Sequence, residues 1–296
     1  MRLATLTTQF GTIAARIDGE VAVPIAGFSS VSELIQTEGW AELAAGATAT
    51  ATVTATATAT DGAPPTVQPI ALDSLAPTAW AAVVPTPSKI VCVGLNYRSH
   101  IREMGREIPE HPTLFAKYPE ALIGAFDPIE VPSFAADAVD WEGELGVVIG
   151  RRARNVAEAD AAAYIAGYTV LNDVTMRDYQ YRTPQWLQGK TFENTTPVGP
   201  VLVTPDEFDP TGATLRTVVD GETVQEIPVG DLVFTPTALI AYISSILTLN
   251  PGDLIATGTP GGVGHAHTPP RYLTAGSVVE TTIDGLGTLR NVVVVK

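Results

Sequence analysis

The segment from residue 139 to residue 149 constrains the fold of this chain most strongly, because apolar side chains alternate along it with acidic ones. Alternation with a period of two is typical of a β-strand, and it places Asp140, Glu142 and Glu144 on one face. The apolar residues around them predict a mostly buried strand, in which two neighbouring carboxylates repel each other. The segment is therefore either part of a divalent-cation site or an exposed edge strand with solvated acids.

A second apolar strand, covering residues 167–173, ends in a further carboxylate. Asp173 is suited to be the third acidic ligand of an octahedral cation, with water or substrate filling the remaining positions. The alternative is a turn residue or a helix cap, which is the commoner role of an aspartate at a strand end. With Glu142 and Glu144, it predicts a site for a hard ion such as Mg2+.

A histidine and a glutamate follow the apolar strand 89–94. His100 and Glu103 are three residues apart, so on a helical turn they share a face. A histidine oriented by a carboxylate is the usual composition of a general base. The alternative is a weak ion pair on a surface helix.

A glycine-rich loop, residues 257–264, follows the strand 253–256. Such a loop presents backbone N–H groups and suits a substrate carboxylate or an oxyanion, which makes Thr257, Gly258 and Thr259 candidate substrate contacts. It lacks the Gly-Lys-Ser/Thr ending of a P-loop, and tight turns also need glycine. The nearby His265 and His267 are predicted to be solvent-exposed or to contact substrate, because imidazoles favour softer metals than carboxylates do.

Taken in order, these segments resemble the fumarylacetoacetate hydrolase family over residues 89–296. The resemblance rests on the segments 94–100 with Glu103, 142–144, 172–173, 185–190, 197–200 and 251–264. It implies that Glu142, Glu144 and Asp173 bind Mg2+ or Mn2+, or in some members Ca2+. It also implies that His100 and Glu103 activate water, and that Lys190 lies beside the substrate.

The resemblance further implies a β-rich α+β fold, in which a β-roll catalytic domain with few helices follows a small N-terminal α/β cap domain. We place these domains at residues 88–296 and 1–87. The N-terminal part contains a predicted helix from Ser30 to Ala45 and an Ala/Thr-rich segment at residues 47–60. In the catalytic part, one helix is predicted at residues 156–165 with Asn155 as its N-cap, and another begins at Thr235-Pro236. A homodimer is also implied.

The function predicted from these features is metal-dependent hydrolysis of a carbon–carbon bond in a 2,4-dioxo acid such as an acylpyruvate. The same scaffold suits an oxaloacetate-type decarboxylase or tautomerase, or an isomerase or hydratase of 2-hydroxy-dienoates. A non-catalytic Ca2+- or carbohydrate-binding β-protein is the alternative from another class. Such a protein has no need of a His–Glu pair, a lysine and a glycine loop together.

The net charge of −15 argues against nucleic acid or an anionic membrane as a partner. It also means that an anionic 2-oxo acid needs local positive charge, for which Lys190 is one source. Cys92, the only cysteine, excludes an internal disulfide, and the chain has no apolar run long enough to span a bilayer, so we predict a cytoplasmic enzyme. Further substrate contacts, ranked by nearness to the motifs, are Arg98, Arg102, Arg106, Tyr118, Tyr179, Tyr181 and Gln188.

Overall fold

Strands dominate the architecture. The computed structural model describes residues 1–48, 51–52, 66–103, 105 and 107–296, and all bounds below refer to that part of the chain. The strands are β1 (Arg2–Thr8), β2 (Gly11–Asp18), β3 (Val21–Pro24), β4 (Ala51–Thr52), β5 (Thr66–Val67), β6 (Ile70–Ala71), β7 (Ile90–Gly94), β8 (Thr113–Lys117), β9 (Leu122–Ile123), β10 (Ile129–Val131), β11 (Val139–Asp140), β12 (Gly143–Ile149), β13 (Ile165–Asn172), β14 (Thr175–Met176), β15 (Thr196–Val203), β16 (Thr214–Val219), β17 (Glu222–Pro228), β18 (Leu254–Ala256), β19 (Val278–Ile283) and β20 (Gly287–Val295).

Helices are short. The α-helices are α1 (Val31–Ile35), α2 (Trp40–Ala45), α3 (Arg98–Glu103), α4 (Arg177–Gln180), α5 (Leu187–Lys190) and α6 (Pro236–Ile246). Short 3-10 helices cover Leu72–Ser74, Pro77–Ala79, Pro119–Ala121, Ser133–Ala135, Glu158–Tyr164, Pro210–Gly212, Val229–Asp231 and Gly264–Ala266. In the part of the chain described, no helix is both long enough and apolar enough to cross a membrane.

Two sheets organise the described residues. The larger has eleven strands in the order β6-β3-β2-β1-β15-β13-β12-β18-β7-β8, with β9 added alongside β15. The smaller has five strands in the order β10-β20-β19-β16-β17. The two-stranded pairs β11–β14 and β4–β5 complete the sheets. This arrangement confirms the predicted β-rich fold with few helices.

The strand β12 lies inside the large sheet, between β13 and β18, and every one of its residues is buried. Leu145 and Val147 belong to one apolar cluster, together with Ile243 of α6. Val148 faces the opposite cluster, where Leu34 of α1 packs. Because both faces of β12 are covered, the predicted buried strand is confirmed and the exposed-edge alternative is wrong.

The N-terminal residues continue the large sheet, since β1 pairs antiparallel with β15 at Leu3 and Leu202. The predicted division at residue 87 stays a prediction. The single helix predicted from Ser30 to Ala45 is wrong, because the chain forms α1 and α2 with Gly39 between them at φ 74°. Of the Ala/Thr-rich segment 47–60, residues 49–50 and 53–60 lie outside the described part.

The two predicted helices of the catalytic part have different outcomes. The helix that begins at Pro236 is confirmed, with the Thr235 side chain accepting a hydrogen bond from the N–H of Ala238. The α-helix predicted at 156–165 is wrong, because only a 3-10 helix forms, from Glu158 to Tyr164. Asn155 is not its cap, since its φ of 55° and its N–H bond to Ser244 hold it in a turn against α6.

Candidate metal centre and active site

Three carboxylates meet where β12 begins and its neighbour β13 ends. Gly143 lies opposite Asn172 in the antiparallel register, and the N–H of Asp173 donates to the carbonyl of Glu142 at 2.8 Å. Directly opposite residues in such a pair point to the same face, and Glu144 follows two residues along. The ligand oxygens of Glu142, Glu144 and Asp173 consequently lie within 4.8 Å of one another, and all three residues are buried.

Asp140, the third acid of the 139–149 segment, lies outside the group of three carboxylates. The chain leaves the sheet at Trp141 and Glu142, so that Asp140 belongs to β11 and Glu144 to β12. Asp140 contacts the guanidinium of Arg177 at 2.8 Å. The continuous strand predicted for 139–149 is therefore interrupted, and Asp140 does not share the face of Glu142 and Glu144.

Buried cations surround the three acids. The ammonium of Lys190 lies 2.6 Å from Glu142 Oε2 and 2.8 Å from Asp173 Oδ2. Lys117 donates to the other oxygen of Asp173, and its side chain is fully buried. Arg177 Nη1 lies 2.8 Å from Glu142 Oε1. The site therefore combines hard oxygen donors with positive groups that offset their charge.

Sequence reasoning missed Lys117 and Arg177. One signal was available for Lys117, because it follows the apolar residues 114–116 of β8, and a lysine that is buried there needs an anionic partner. Arg177 follows Asp173 by four residues, but only the folded chain shows that the turn between them brings the guanidinium back to Glu142. Both residues depend on contacts that are remote along the chain.

The protonation of the triad follows from burial and neighbouring charge. Burial raises the pKa of Glu144 well above its usual range, and the charges of Asp173 and Glu142 raise it further. Burial also opposes ionisation of Asp173, but Lys117 and Lys190 outweigh it and lower the pKa of that carboxyl. The N–H of Gly258 donates to Glu144 Oε2 at 2.7 Å and orients it. Three buried oxygen ligands, one of which resists ionisation without a cation, fit a divalent metal ion.

Helices α4 and α5 pass close to each other, and this contact places Lys190 beside Glu142 and Asp173. A Cβ on Gly189 would lie 2.4 Å from the backbone nitrogen of Gln180, so only glycine lets α5 pass this near α4. The N–H of Arg177 donates to the carbonyl of Ala138 at 2.9 Å, which fixes the start of α4 on β11. The two short helices thus place Lys190, Arg177 and Gln180 together.

A cavity of about 290 Å3 opens above these groups. Its lining residues are Val93, Gly94, Leu95, His100, Phe115, Glu142, Arg177, Gln180, Tyr181, Trp186, Lys190, Thr259, Val263, His265 and Ala266. The charged groups Glu142, Arg177 and Lys190 share it with an apolar wall in which Phe115 and Trp186 pack edge to face at 5.3 Å.

His100, the predicted general base, reaches the cavity from α3 and is 8% exposed, while its role stays a prediction. The N–H of Ser99 donates to Asp231 at 2.9 Å, which holds the helix in place. Glu103 belongs to α3, but its side chain lies outside the described part of the structure, as does Arg106. The predicted His100–Glu103 dyad therefore stays a prediction.

In the loop predicted to bind substrate, some hydrogen-bond donors are used within the protein and others belong to residues that line the cavity. The hydroxyl of Thr257 donates to the carbonyl of Leu145 at 2.9 Å, and the N–H of Gly258 serves Glu144. Their predicted substrate contacts do not fit this geometry, because both donors are buried and already used. Thr259 does line the cavity.

Tyr181 also lines the cavity, whereas the remaining predicted substrate contacts whose side chains the structure describes do not. Arg98 donates to the backbone carbonyls of Asp231 and Leu232, which commits its guanidinium to the protein. Arg102 is exposed on α3, and Gln188 is exposed and donates to Thr183 at 2.9 Å. Tyr118 is 56% exposed. Nearness along the chain to a motif therefore identified one residue of the cavity lining, Tyr181, among several that lie elsewhere.

The fold and the acidic triad define a β-rich protein with a candidate metal centre beneath a small cavity. Residues 89–294 match the family model described as the fumarylacetoacetate (FAA) hydrolase C-terminal region. The chain belongs to the fumarylacetoacetate hydrolase family, which confirms the resemblance drawn from its sequence.

Similar proteins are found in distant organisms. The chain is 44% identical over 216 residues to the mitochondrial oxaloacetate tautomerase fahd2 of Xenopus laevis, covering 72% of this chain and 67% of that protein. It is 43% identical over 222 residues to the oxaloacetate tautomerase YisK of Bacillus subtilis, covering 74% of each. Among solved structures, the 5-carboxymethyl-2-hydroxymuconate delta-isomerase of Mycobacterium smegmatis superposes with a TM-score of 0.77 at 33% identity, covering 100% of both chains.

Proposed function

We propose that the protein is a metal-dependent enzyme that interconverts the keto and enol forms of a small 2-oxo acid such as oxaloacetate. The observation that carries this proposal is the cavity floor, where Glu142 meets the ammonium of Lys190 and the guanidinium of Arg177 beside two further buried carboxylates. A volume of about 290 Å3 suits a compact acid. The names of the similar proteins support it, because tautomerase and isomerase both denote isomerisations.

Arg177 and Gln180 are suited to hold the carboxylate of the substrate. A guanidinium only donates hydrogen bonds, so the Gln180 oxygen, 2.9 Å from Arg177 Nη1, faces the arginine. The Gln180 amide then turns its N–H donors away from the arginine. Two neighbouring donor groups of this kind, one of them charged, match a carboxylate.

Glu142, Glu144 and Asp173 are the residues that would hold the metal ion. When bound, a divalent ion supplies Lewis-acid polarisation of the substrate carbonyl. The ammonium of Lys190 lies on the cavity floor, where it stabilises negative charge on the C2 oxygen of the acid.

His100 is the proposed proton carrier, because it lines the same cavity and histidine is the side chain most often used in general acid–base catalysis. In the keto-to-enol direction, the C3–H bond breaks and its proton passes to His100. The electron pair of that bond forms the C2–C3 double bond, and the C2 oxygen takes the negative charge beside Lys190. The proton then moves from His100 to that oxygen, so the reaction consumes nothing.

Hydrolysis of a 2,4-dioxo acid, the function first predicted from the sequence, is the second candidate. The position of His100 in the cavity favours it equally, since the same imidazole is able to deprotonate a water. It also needs a group to orient that imidazole, and the predicted partner is Glu103. The similar proteins give more support to isomerisation.

The test follows the ultraviolet absorbance of enol-oxaloacetate after mixing with the protein and either Mg2+ or EDTA. Pyruvate release from oxaloacetate and from acetylpyruvate is measured in parallel with lactate dehydrogenase. We expect faster decay of the enol only with Mg2+, no pyruvate, and a loss of about a hundredfold or more in His100→Gln. His111→Gln, which changes an exposed histidine, is the matched control.

The other outcomes separate the alternatives. Metal-dependent pyruvate from acetylpyruvate supports the hydrolase, and pyruvate from oxaloacetate supports the decarboxylase. Tautomerisation unaffected by EDTA or by His100→Gln would contradict the proposed roles of the metal and the histidine.

A further inference from the structure

Asp140 is a buried carboxylate that the chemistry above leaves unused. It is 0% exposed, and it accepts hydrogen bonds from groups on three parts of the chain. Its Oδ1 accepts from the N–H of Trp141 at 2.8 Å and from that of Gly264 at 2.7 Å. Its Oδ2 accepts from the N–H of His265 at 2.9 Å and from Arg177 Nε at 2.8 Å. One side chain therefore joins α4 to the loop that contains Gly264.

The groups joined by Asp140 form two parts of the cavity wall. Arg177 lines the cavity from α4, and His265 lines it from the loop at residues 262–266. The indole N–H of Trp141 also donates to the carbonyl of Gly262 at 3.0 Å, so the loop is fixed at both ends of this short segment.

The loop runs so close to Asp140 that only glycine fits at its contact point. A Cβ on Gly264 would lie 2.8 Å from Asp140 Oδ1 and 2.0 Å from the carbonyl oxygen of Arg271. The approach lets two successive backbone N–H groups reach the carboxylate. Such a bidentate arrangement, completed by a charged donor, is strong and directional.

We propose that Asp140 is a positioning residue for substrate binding, which holds the Arg177 guanidinium and the 262–266 loop as one preset wall for the carboxylate of a 2-oxo acid. The nature of this ligand rests on the proposed function. The effect of Asp140 passes through Arg177, because the arginine contacts the cavity and Asp140 is enclosed behind it. Preset donors increase affinity because less order is lost when the ligand binds.

A double-mutant cycle with oxalate as the probe tests this inference. Oxalate carries two adjacent carboxylates, like the acid end of a 2-oxo acid, and calorimetry measures its binding at saturating Mg2+ without turnover. We expect Asp140→Asn and Arg177→Gln each to weaken binding by about tenfold or more, as for loss of a charged hydrogen bond. In the double variant, Asp140→Asn adds less than about a twofold further loss.

Asp137→Asn is the matched control, since it makes the same chemical change at an exposed position three residues away, and it keeps wild-type affinity. Equal oxalate binding by wild type and Asp140→Asn overturns the inference. The inference is also overturned if Asp140→Asn weakens oxalate binding by the same factor in the Arg177→Gln protein as in wild type. General damage to the structure would give that result, because it does not depend on Arg177. Failure of wild-type protein to bind oxalate with Mg2+ counts instead against the proposed function.

Folding of the variant is checked by circular dichroism. If Asp140→Asn does not fold, Arg177→Lys tests the same idea, because lysine keeps the charge but loses the planar fork that reaches Asp140, Glu142 and Gln180 together. We expect about tenfold weaker oxalate binding. Wild-type affinity in Arg177→Lys shows that charge alone suffices and overturns the inference.

Discussion

At the scale of single residues, the position of Glu144 disfavours a negative charge. Burial and the neighbouring Asp173 and Glu142 raise its pKa well above the ordinary 4.5. A divalent ion binds the ionised form, so the proton must leave when the ion enters. The acid is thus a means by which pH controls loading of the site.

The affinity for Mg2+ is expected to keep increasing with pH above the ordinary glutamate pKa of 4.5, because the ionised fraction of Glu144 keeps growing there. The change approaches about tenfold per pH unit while one proton is released per ion. Calorimetry in buffers of different ionisation enthalpy measures both the affinity and the proton count. A constant affinity between about pH 5 and pH 8 would contradict the raised pKa.

Glu144→Gln is expected to abolish the stabilisation by Mg2+ without lowering the melting temperature in EDTA. The amide oxygen still accepts from Gly258, and the change removes a carboxyl whose ionised form is disfavoured by burial. Differential scanning calorimetry with Mg2+ and with EDTA measures both effects, since a bound ion stabilises by mass action.

Glu193→Gln, an exposed change, is the control and should keep the Mg2+ response. A Glu144→Gln protein that Mg2+ still stabilises as strongly as wild type would remove Glu144 from the ligand set.

Residues with local signals were the ones that sequence could identify. Glu142 and Glu144 share a face by strand periodicity alone, and Asp173 marks a strand end, so their meeting needed only the pairing of β12 with β13. Lys117 and Arg177 reach the same acids through chain reversals that leave no periodic pattern.

At the scale of elements, the contact between the two sheets limits which side chains fit at the start of strand β12. A Cβ on Gly143 would lie 2.4 Å from Thr217 Oγ1 and 3.2 Å from Gln225 Oε1, both on strands of the five-stranded sheet. Gly143 separates Glu142 from Glu144. Displacing it therefore moves two of the three candidate metal ligands at once.

Gly143→Ala is expected to destabilise the protein by about 1–3 kcal/mol, as overpacking of a buried contact does, and to weaken Mg2+ binding. Urea unfolding and Mg2+ titration measure the two effects. Gly212→Ala is the matched control, because a Cβ there meets no atom within 4 Å, and it should change neither quantity. Wild-type stability in Gly143→Ala would show that the sheets separate more easily than this contact implies.

Strands were easier to predict than helices in this chain for a physical reason. Strand β12 has apolar residues at every second position, whereas the segment near Asn155 is rich in alanine, which fits several backbone forms. The N–H bond of Asn155 to Ser244, a contact made only after folding, accompanies a positive φ at Asn155, which differs from the extended backbone of an N-cap.

At the scale of the whole molecule, the described residues before residue 88 share the sheet and the core of the rest. Leu6 and Ile13 belong to the same apolar cluster as Leu145 and Val147. Removing β1 would also expose the edge of β15, and an unpaired apolar edge promotes aggregation.

A fragment of residues 88–296 is therefore expected to aggregate or to lack a cooperative transition, while the full chain melts cooperatively. Size-exclusion chromatography and thermal melting compare the two under identical conditions. A monodisperse fragment with its own cooperative transition would establish the predicted division at residue 87 as one between independently folding domains. The homodimer and the cytoplasmic location stay predictions from the sequence.

The two lysines that contact Asp173 differ in how easily a cation could displace them. Each of the two carboxylate oxygens carries an ammonium, one from Lys117 and one from Lys190. Lys117 is enclosed and also donates to the carbonyl of Val174, whereas Lys190 lies on the cavity wall. A cation that bound an oxygen of Asp173 would displace Lys190 more readily than Lys117, because Lys190 faces the cavity. Cation binding would thereby release a buried ammonium toward the cavity, where it would attract an anionic ligand to a chain whose net charge is −15.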